Sequence, residues 1–406
     1  MSAHPLRRNR EFVLLQSGQL LSNVGTQATT IAYPLLVLAL THSATRAGLV
    51  TFARALPLAL LALPAGEIAD RRDRRSVMIL ADAVRVAAVG SLATMVLAHA
   101  VEFWTIPVIA FVEGCGAALF GAAAPGALRA IVPREQLPVA VSMRTGRNAL
   151  VRLVGPPVGG VLYQLARAVP FLVDVVSYAC STISMLLLRT PFQEPRQPDP
   201  SSLRARLAEG IQFVWNQPFL RSIALLFALA NFIGPGLLFA LVVLARAQGL
   251  NGFAIGALVA VFGVSLLAGS VLSGYVRRVL PVRGVMVLEL WTWCGCALFV
   301  IWPSVYVLTA CLVPTGLAIP ATDSVVHAYR IAITPDHVLG RAESVRSAIS
   351  LAIASLGPLV AGLLLESTSP RIAIGLFAAA GLTLALWGTL DPSIRNAPSL
   401  EVMSSG

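Results

Sequence analysis

Glu113 stands alone: no other charged residue occurs between Glu102 and Arg129. Arg54 and Arg152 also lie inside apolar stretches. An ion is costly in hydrocarbon, so a charge kept within a greasy segment is a functional position by default. At 1.5 Å per residue, Glu113, Arg152 and Arg54 lie roughly 15, 20 and 12 Å from the outer ends of their segments. That depth is near the middle of a bilayer. Glu113 is therefore expected to share a hydrogen-bonded site with Arg152 or with Arg54. A movement that changes the carboxylate–guanidinium distance changes which protonation state is favoured, so the pair can load and release a proton. The competing role is a static ion pair that fixes two helices. Asp323 is a further candidate for coupling or substrate contact, although its place nearer the arginine-rich end fits a gate or a packing role better.

A second pattern is uncharged. Gln19, Asn23, Thr26, Thr30 and Tyr33 recur at spacings of four, three, four and three, which puts them on one helical face. In a membrane helix such a face lines a cavity or hydrogen-bonds to a neighbouring helix. Trp291 and Trp293 can stack on an apolar ligand or pack in the core.

The third pattern is "GEIADRRDRR", Gly66 to Arg75, with seven charges in ten residues of a chain that is 12% charged. Asp82, Arg85, Glu289 and Glu343 lie within a few turns of the same side and are expected to pair with this loop.

The elements that position these residues follow from composition. The chain has 406 residues, 57% of them hydrophobic. Phe12 to Thr45, Ser222 to Ala245, Ala247 to Val276 and Leu290 to Thr322 contain no Asp, Glu, Lys or Arg. A spanning helix needs roughly 20 mostly apolar residues, so these runs predict a polytopic membrane protein. Breaking the apolar runs at charges, Pro and Gly predicts twelve spans: 12–40, 46–65, 76–99, 103–127, 139–165, 169–189, 219–245, 252–276, 283–302, 304–329, 340–366 and 370–390. "RRNR" and the run after it form the first span rather than a signal peptide.

All thirty basic residues are Arg. Without Lys the chain offers no P-loop, no Schiff base to pyridoxal and no S-x-x-K nucleophile. The net charge of +11 is not a nucleic-acid footprint. Twenty arginines fall on one side of the predicted spans, and only Arg46, Arg167, Arg246 and Arg371 fall on the other. By the positive-inside rule, both termini are cytoplasmic. The five Cys sit in apolar segments as small hydrophobes, and "CGC" at 294–296 has no nearby His with which to bind a metal. No cofactor is expected.

The chain also repeats itself. Residues 131–162 align without gaps on 333–364, with 11 of 32 positions identical, among them Arg144/Arg346, Gly155/Gly357 and Pro156/Pro358. The constant offset of 202 is almost half the chain, which predicts a duplicated six-span unit. The expected fold is all-α: twelve transmembrane helices in two pseudo-symmetric six-helix bundles. The bundles are residues 1–189 and 219–390, joined by a linker at 190–218 and followed by a tail at 391–406. Within the linker, "SLRARLAEGIQFVW" reads as an amphipathic helix at the membrane surface.

With these features in place, the chain resembles the major facilitator superfamily along essentially its full length. Gly66, Asp70, Arg71, Arg74 and Arg75 match the loop signature G-x-x-x-D-R-x-x-R-R between spans two and three. Gly155, Pro156, Gly159 and Gly160 of "GPPVGG" match the core of the fifth-span motif of proton antiporters and exporters. The pattern is similar to the twelve-span drug and siderophore exporter branch. Val151 and Ser142 replace two glycines of the fuller motif. Thr26 stands where that branch often carries an acid, so no first-span carboxylate can carry the proton. Ser273 replaces the Asp in the second copy of the charged loop.

The resemblance implies a secondary active transporter of the inner membrane, not an enzyme. Its expected work is proton-coupled export of a hydrophobic or amphipathic small molecule by alternating access. Its partners would be substrate, protons and the lipid bilayer, with no nucleotide or nucleic acid, and the chain is expected to be a monomer. An uptake or lipid-flipping transporter is the alternative. A non-transporting sensor or assembly partner is the alternative of another class. Asp174, near the outer end of span six where the branch commonly has Asp, is expected to be structural. Gly66 is expected to end a helix tightly, with Asp70 pairing an Arg or capping another helix. The charged loop with Glu343 would then latch the cytoplasmic ends. The "GPPVGG" helix suits an interface between rocking halves.

Overall fold

The computed structural model describes residues 6–192 and 203–395. The Pro-rich start of the linker and the end of the tail lie outside the described residues. Among those residues the regular structure is helical. In chain order it runs α1 (Arg10–Thr41), α2 (Ala44–Leu60), α3 (Ala62–Arg71), α4 (Arg74–Leu97), α5 (Thr105–Ile131), α6 (Leu137–Leu165), α7 (Val169–Leu187) and α8 (Leu203–Asn216). There follow α9 (Pro218–Ala247), α10 (Gly252–Val279), α11 (Val282–Thr292), α12 (Leu298–Ile301), α13 (Val305–Ile333), α14 (Asp336–Ser367) and α15 (Pro370–Leu390).

Ten segments are long and apolar enough to cross a membrane, counting Val282–Ile301 as one. An eleventh is the pair α2 and α3, bent by 51°. The bend has a local cause. Pro64 has no N–H to give the Leu60 carbonyl, so the ladder breaks at Leu61. These make up to eleven spans, where the sequence predicts twelve. The predicted fifth span corresponds to α6, 29 residues long, whose apolar character is diluted by Arg144, Arg147 and Arg152. The predicted seventh and eighth spans correspond to α9 and α10, with the linker helix α8 before them. Span nine is interrupted by a 3-10 stretch, Trp293–Ala297.

Caps place the boundaries. Asn9 accepts from the Phe12 N–H at 3.1 Å and starts α1. His42, at φ 54°, ends it in the left-handed region. Asp73 opens α4 by accepting from the Ser76 N–H at 2.9 Å and its hydroxyl at 2.7 Å.

The chain divides into two compact units, residues 1–199 with 246–260 and residues 200–245 with 261–406. The first turns of α10 thus group with the first six spans rather than with the rest of their own helix. In the first unit α1 packs on α6 and α7, and α4 packs on α5 and α7. One end is closed by an apolar cluster that includes Phe12, Leu15, Met78, Leu188 and Phe192. In the second unit α11 packs on α13, and α8 lies against α14.

Gly155 with its copy Gly357, and Gly159, which aligns with Ala361, explain the tight crossings. A Cβ on Gly155 would fall 2.3 Å from Gln27 Cβ, and one on Gly159 would fall 2.4 Å from the Ala28 carbonyl oxygen. In the second unit, a Cβ on Gly357 would fall 2.4 Å from the Phe232 carbonyl oxygen and 2.9 Å from Gly236 N. The repeat therefore keeps glycine where one helix meets the backbone or stem atoms of another within the same unit. Gly160 and Gly256 extend this seam: added Cβ atoms would strike the carbonyl oxygens of Gly252 and Pro156.

Candidate functional site

Glu113 is 1% exposed, on α5 inside the first unit. Arg54 of α2 reaches it with two nitrogens, Nη2 at 2.7 Å from Oε1 and Nε at 3.1 Å from Oε2. Tyr33 of α1 donates to Oε2 at 2.8 Å, and Tyr178 of α7 donates to Oε1 at 3.2 Å. Four donors from three helices converge on one carboxylate. Such satisfaction is what makes a buried ion tolerable.

The network continues outward. Arg54 also donates to Thr30 Oγ1 and Thr29 Oγ1, both at 3.0 Å. Thr29 reaches Asp174 Oδ2 at 3.0 Å. On the other flank, Tyr178 OH lies 2.9 Å from Thr26 Oγ1, which accepts from Arg85 Nη2 at 2.9 Å. Arg85 stacks over the Tyr178 ring at 3.7 Å and pairs with Asp82 at 3.1 Å. Five helices thus share one polar core containing two arginines and three carboxylates.

Several sequence expectations change here. Of the two arginines offered to Glu113, Arg54 makes the pair. Arg152 is exposed on α6 and has no ion pair or hydrogen bond among the described residues. Asp82 and Arg85 were assigned to the charged loop, but they are 0% and 4% exposed and belong to the buried network. Arg85 lies eleven residues beyond Arg74, roughly 16 Å along the helix, too deep to serve the loop. Asp82 and Arg85 sit three apart on one helical face, a spacing that could have marked them as a pair. Tyr178 carries no charge signal; its clue was Asp174 four residues earlier, on the same face.

The polar stripe of α1 is engaged along its length. Gln19 accepts from Arg147 at 3.2 Å, and Asn23 donates to Asn148 at 3.2 Å. Thr26, Thr30 and Tyr33 join the Glu113 network. Interhelical hydrogen bonding describes these contacts better than open cavity lining.

The charged loop acts locally. Asp70 pairs with Arg74 at 3.0 Å, and Arg71 with Glu67 at 2.6 Å. Arg74 also donates to the Phe192 carbonyl at 3.3 Å, and Arg75 to the Leu186 carbonyl at 2.6 Å. Arg75 thus reaches the end of α7, and Arg74 the segment five residues beyond it. Burial acts to raise the Asp73 carboxyl, but hydrogen bonds from Ser76 outweigh it and hold the group below the usual carboxylate range. Gly66 does not end a helix. It sits within α3, and an added Cβ would meet nothing within 4 Å.

In the second unit Glu343 accepts from Arg330 at 3.1 Å and from Arg346. Asp323 lines a pocket with Asn231, Arg330, Glu343 and Arg346, walled by Phe227 and Val326. Glu289 is 6% exposed inside the same unit. Trp293 is fully buried core, whereas Trp291 is exposed and donates to Thr389 Oγ1 at 3.0 Å. Among the described residues no group of His, Cys, Asp and Glu is arranged to hold a metal ion.

Comparison with known proteins adds a family and a fold. Residues 2–405 match the family described as transmembrane secretion effector. The chain is 29% identical over 224 residues to the multidrug efflux pump Tap of Mycolicibacterium fortuitum, covering 52% of this chain and 54% of that protein. It is 27% identical over 182 residues to macrolide efflux protein A of Enterococcus faecalis, covering 44% and 56%. The chain thus spans about half the length of the curated relatives it matches. Among solved structures it is similar to the nucleoside transporter NupG, with a TM-score of 0.72, 13% identity and coverage of 96% and 100%. A bacterial homologue of the iron transporter ferroportin gives 0.71, 18%, 93% and 98%. At these identities the structural likeness speaks for the fold.

Proposed function

The chain belongs to the transmembrane secretion effector family of major facilitator transporters, and from that premise we propose that it is a proton-coupled exporter. Its cargo is a hydrophobic or amphipathic small molecule of the drug, antibiotic or secondary-metabolite kind. The similarity to a multidrug pump and a macrolide efflux protein supports export.

One observation carries the proton half of this reading. The first unit holds Glu113 at 1% exposure and Asp174 at 0%, linked through Arg54 and Thr29. Two carboxylates on one hydrogen-bonded path through a guanidinium give a site whose geometry depends on its protonation. Neutralising either acid loosens its hold on Arg54, and Arg54 ties α2 to α1 and α5. Proton binding is thereby converted into helix movement of the kind alternating access requires. Arg152 and Asp323 remain candidates for substrate contact, because each is an exposed ionic group in a spanning helix. Both termini are assigned to the cytoplasm by the arginine distribution, with the charged loop as a gate on that side.

Inverted membrane vesicles test the reading. Accumulation of erythromycin or ethidium should follow an imposed pH gradient and stop when the gradient is collapsed. Gradient-independent leakage alone would remove proton coupling. No protein-dependent movement of any compound would favour a sensor.

A further inference from the structure

Asp174 is a buried acid that makes no salt bridge among the described residues. It is 0% exposed, and among the described residues its hydrogen-bond partners are hydroxyls: Thr29 donates to Oδ2 at 3.0 Å, and the Ser177 hydroxyl lies 3.2 Å from Oδ1 and 2.7 Å from the Asp174 carbonyl. Glu113, in contrast, receives two nitrogens of a guanidinium, which has no lone pair to offer in return. A proton arriving at Glu113 must displace Arg54. A proton arriving at Asp174 needs only a hydroxyl to turn.

That turn is already provided for. Thr29 Oγ1 lies 3.0 Å from the Thr26 carbonyl and 3.4 Å from the Gly25 carbonyl, as well as 3.0 Å from Asp174 Oδ2. Its single hydrogen can serve one acceptor at a time. The same oxygen accepts from Arg54 Nη2 at 3.0 Å. Among the described residues, Thr29 is therefore the one side chain hydrogen-bonded to both Asp174 and the cation holding Glu113.

The backbone leaves room for this acid. A Cβ on Gly25 would fall 2.5 Å from Asp174 Oδ1 and 2.5 Å from Ser177 Oγ, so only glycine lets α1 lie against the carboxyl. The charged and titratable groups around Asp174 are Glu113 from α5, Arg85 from α4, Arg54 from α2 and Tyr178 from its own helix. Arg54 and Glu113 lie on the path through Thr29, whereas Arg85 stands on the other flank, against Thr26, Tyr178 and Asp82.

We propose that Asp174 takes up the coupling proton and that Thr29 passes its charge state to Arg54. In the unloaded state Thr29 donates to the Asp174 carboxylate and accepts from Arg54. On loading, a hydronium ion gives its proton to Oδ2 and leaves as water: one of its O–H bonds breaks as the carboxyl O–H forms. The Thr29 hydrogen turns from Oδ2 to the Thr26 carbonyl, and the new carboxyl O–H donates to Thr29 Oγ1. No other covalent bond changes. Arg54 then loses the pull of an anion beyond Thr29, while its bonds to Glu113 and to the Thr29 and Thr30 hydroxyls remain. The assignment rests on the proton-coupled reading above, but its test does not need a transported substrate.

The experiment is pH-difference infrared spectroscopy of the full chain in liposomes, reading the C=O stretch of a protonated carboxyl. The wild type should show a carboxyl band that titrates with pH. Asp174→Asn should lose it, while Glu113→Gln should keep it. Thr29→Val should move the band to the higher frequency of a carboxyl lacking that hydrogen bond, and Thr29→Ser should return it. A band that survives Asp174→Asn and vanishes in Glu113→Gln would overturn the assignment, as would the absence of any band in the wild type. If Asp174→Asn does not fold, the Thr29 pair decides, and a band unmoved in Thr29→Val counts against the proposal. Vesicle transport without proton coupling, alongside a band that behaves as described, would remove the proton-coupled reading and leave the proton site standing.

Discussion

Arg54 and Glu113 meet on two nitrogens and two oxygens, 2.7 Å between Nη2 and Oε1 and 3.1 Å between Nε and Oε2. The contact joins α2 to α5 in the interior of the first unit, with the carboxylate side chain 2% exposed. A pair so placed contributes little net stability, because both ions have left water. Losing one partner is another matter, since it strands the other charge.

The first prediction follows from that asymmetry. Arg54→Gln should cost about 3–5 kcal/mol, because Glu113 stays buried with only tyrosine hydroxyls to serve it. The double variant Arg54→Gln with Glu113→Gln should be more stable than Arg54→Gln alone. Thermal unfolding of the purified chain in detergent measures all three. Strict additivity would show that the two groups do not interact.

The arginines of the charged loop should act on the end of α7. Arg75 Nη2 donates to the Leu186 carbonyl at 2.6 Å and Arg74 Nη1 to the Phe192 carbonyl at 3.3 Å. Cations at a helix C-terminus satisfy its orphan carbonyls. Arg75→Gln should raise hydrogen exchange several-fold around Leu186 to Leu188 and leave α5 unchanged. Equal protection in both proteins would rule out a capping role.

How far the sequence revealed this arrangement depended on the kind of signal. Isolated charges in apolar runs led to Glu113 and Arg54, because hydrocarbon makes each such residue conspicuous. The period of the α1 stripe was equally legible, since helical geometry forces Thr26, Thr30 and Tyr33 to one side. Partner choice was not legible. Glu113 had two arginines at similar depth, and only the packing of α2 against α5 selects Arg54 over Arg152. Arg85 was misplaced because distance from a span end was read as distance from the loop, although the side chain turns inward to Thr26 and Tyr178. The repeat aligned Arg144 with Arg346, yet only the second copy has an acid three residues earlier. Glu343 corresponds to Val141, so the two arginines cannot do the same work.

Asp73 gives a prediction with a definite sign in pH. Its carboxylate caps α4 and is held below the usual range, so its contribution is fully present above the unfolded value of about 3.9. It fades as pH falls through the still lower folded value. Asp73→Ala should cost about 1 kcal/mol near neutrality, the usual worth of such a cap. The gap between the two unfolding curves should close in strong acid. A gap that widens there would contradict the assignment.

The glycines of the two motifs should respond in opposite directions. Gly159 faces the Ala28 backbone, where a Cβ would lie 2.4 Å from the carbonyl oxygen and 2.6 Å from Cα. Backbone cannot rotate away, so Gly159→Ala must push α6 off α1, at a cost of about 1–3 kcal/mol. Gly66 lies within α3 with nothing inside 4 Å. There the added methyl meets open space, and losing glycine's flexibility in the unfolded chain should stabilise by about 0.5–1 kcal/mol. Unfolding midpoints of the two variants should therefore move apart, Gly66→Ala upward and Gly159→Ala downward. If transport falls in Gly66→Ala while its midpoint rises, the space beside that residue is used in motion rather than in packing. If both midpoints fall, the local environment of α3 differs from the one described.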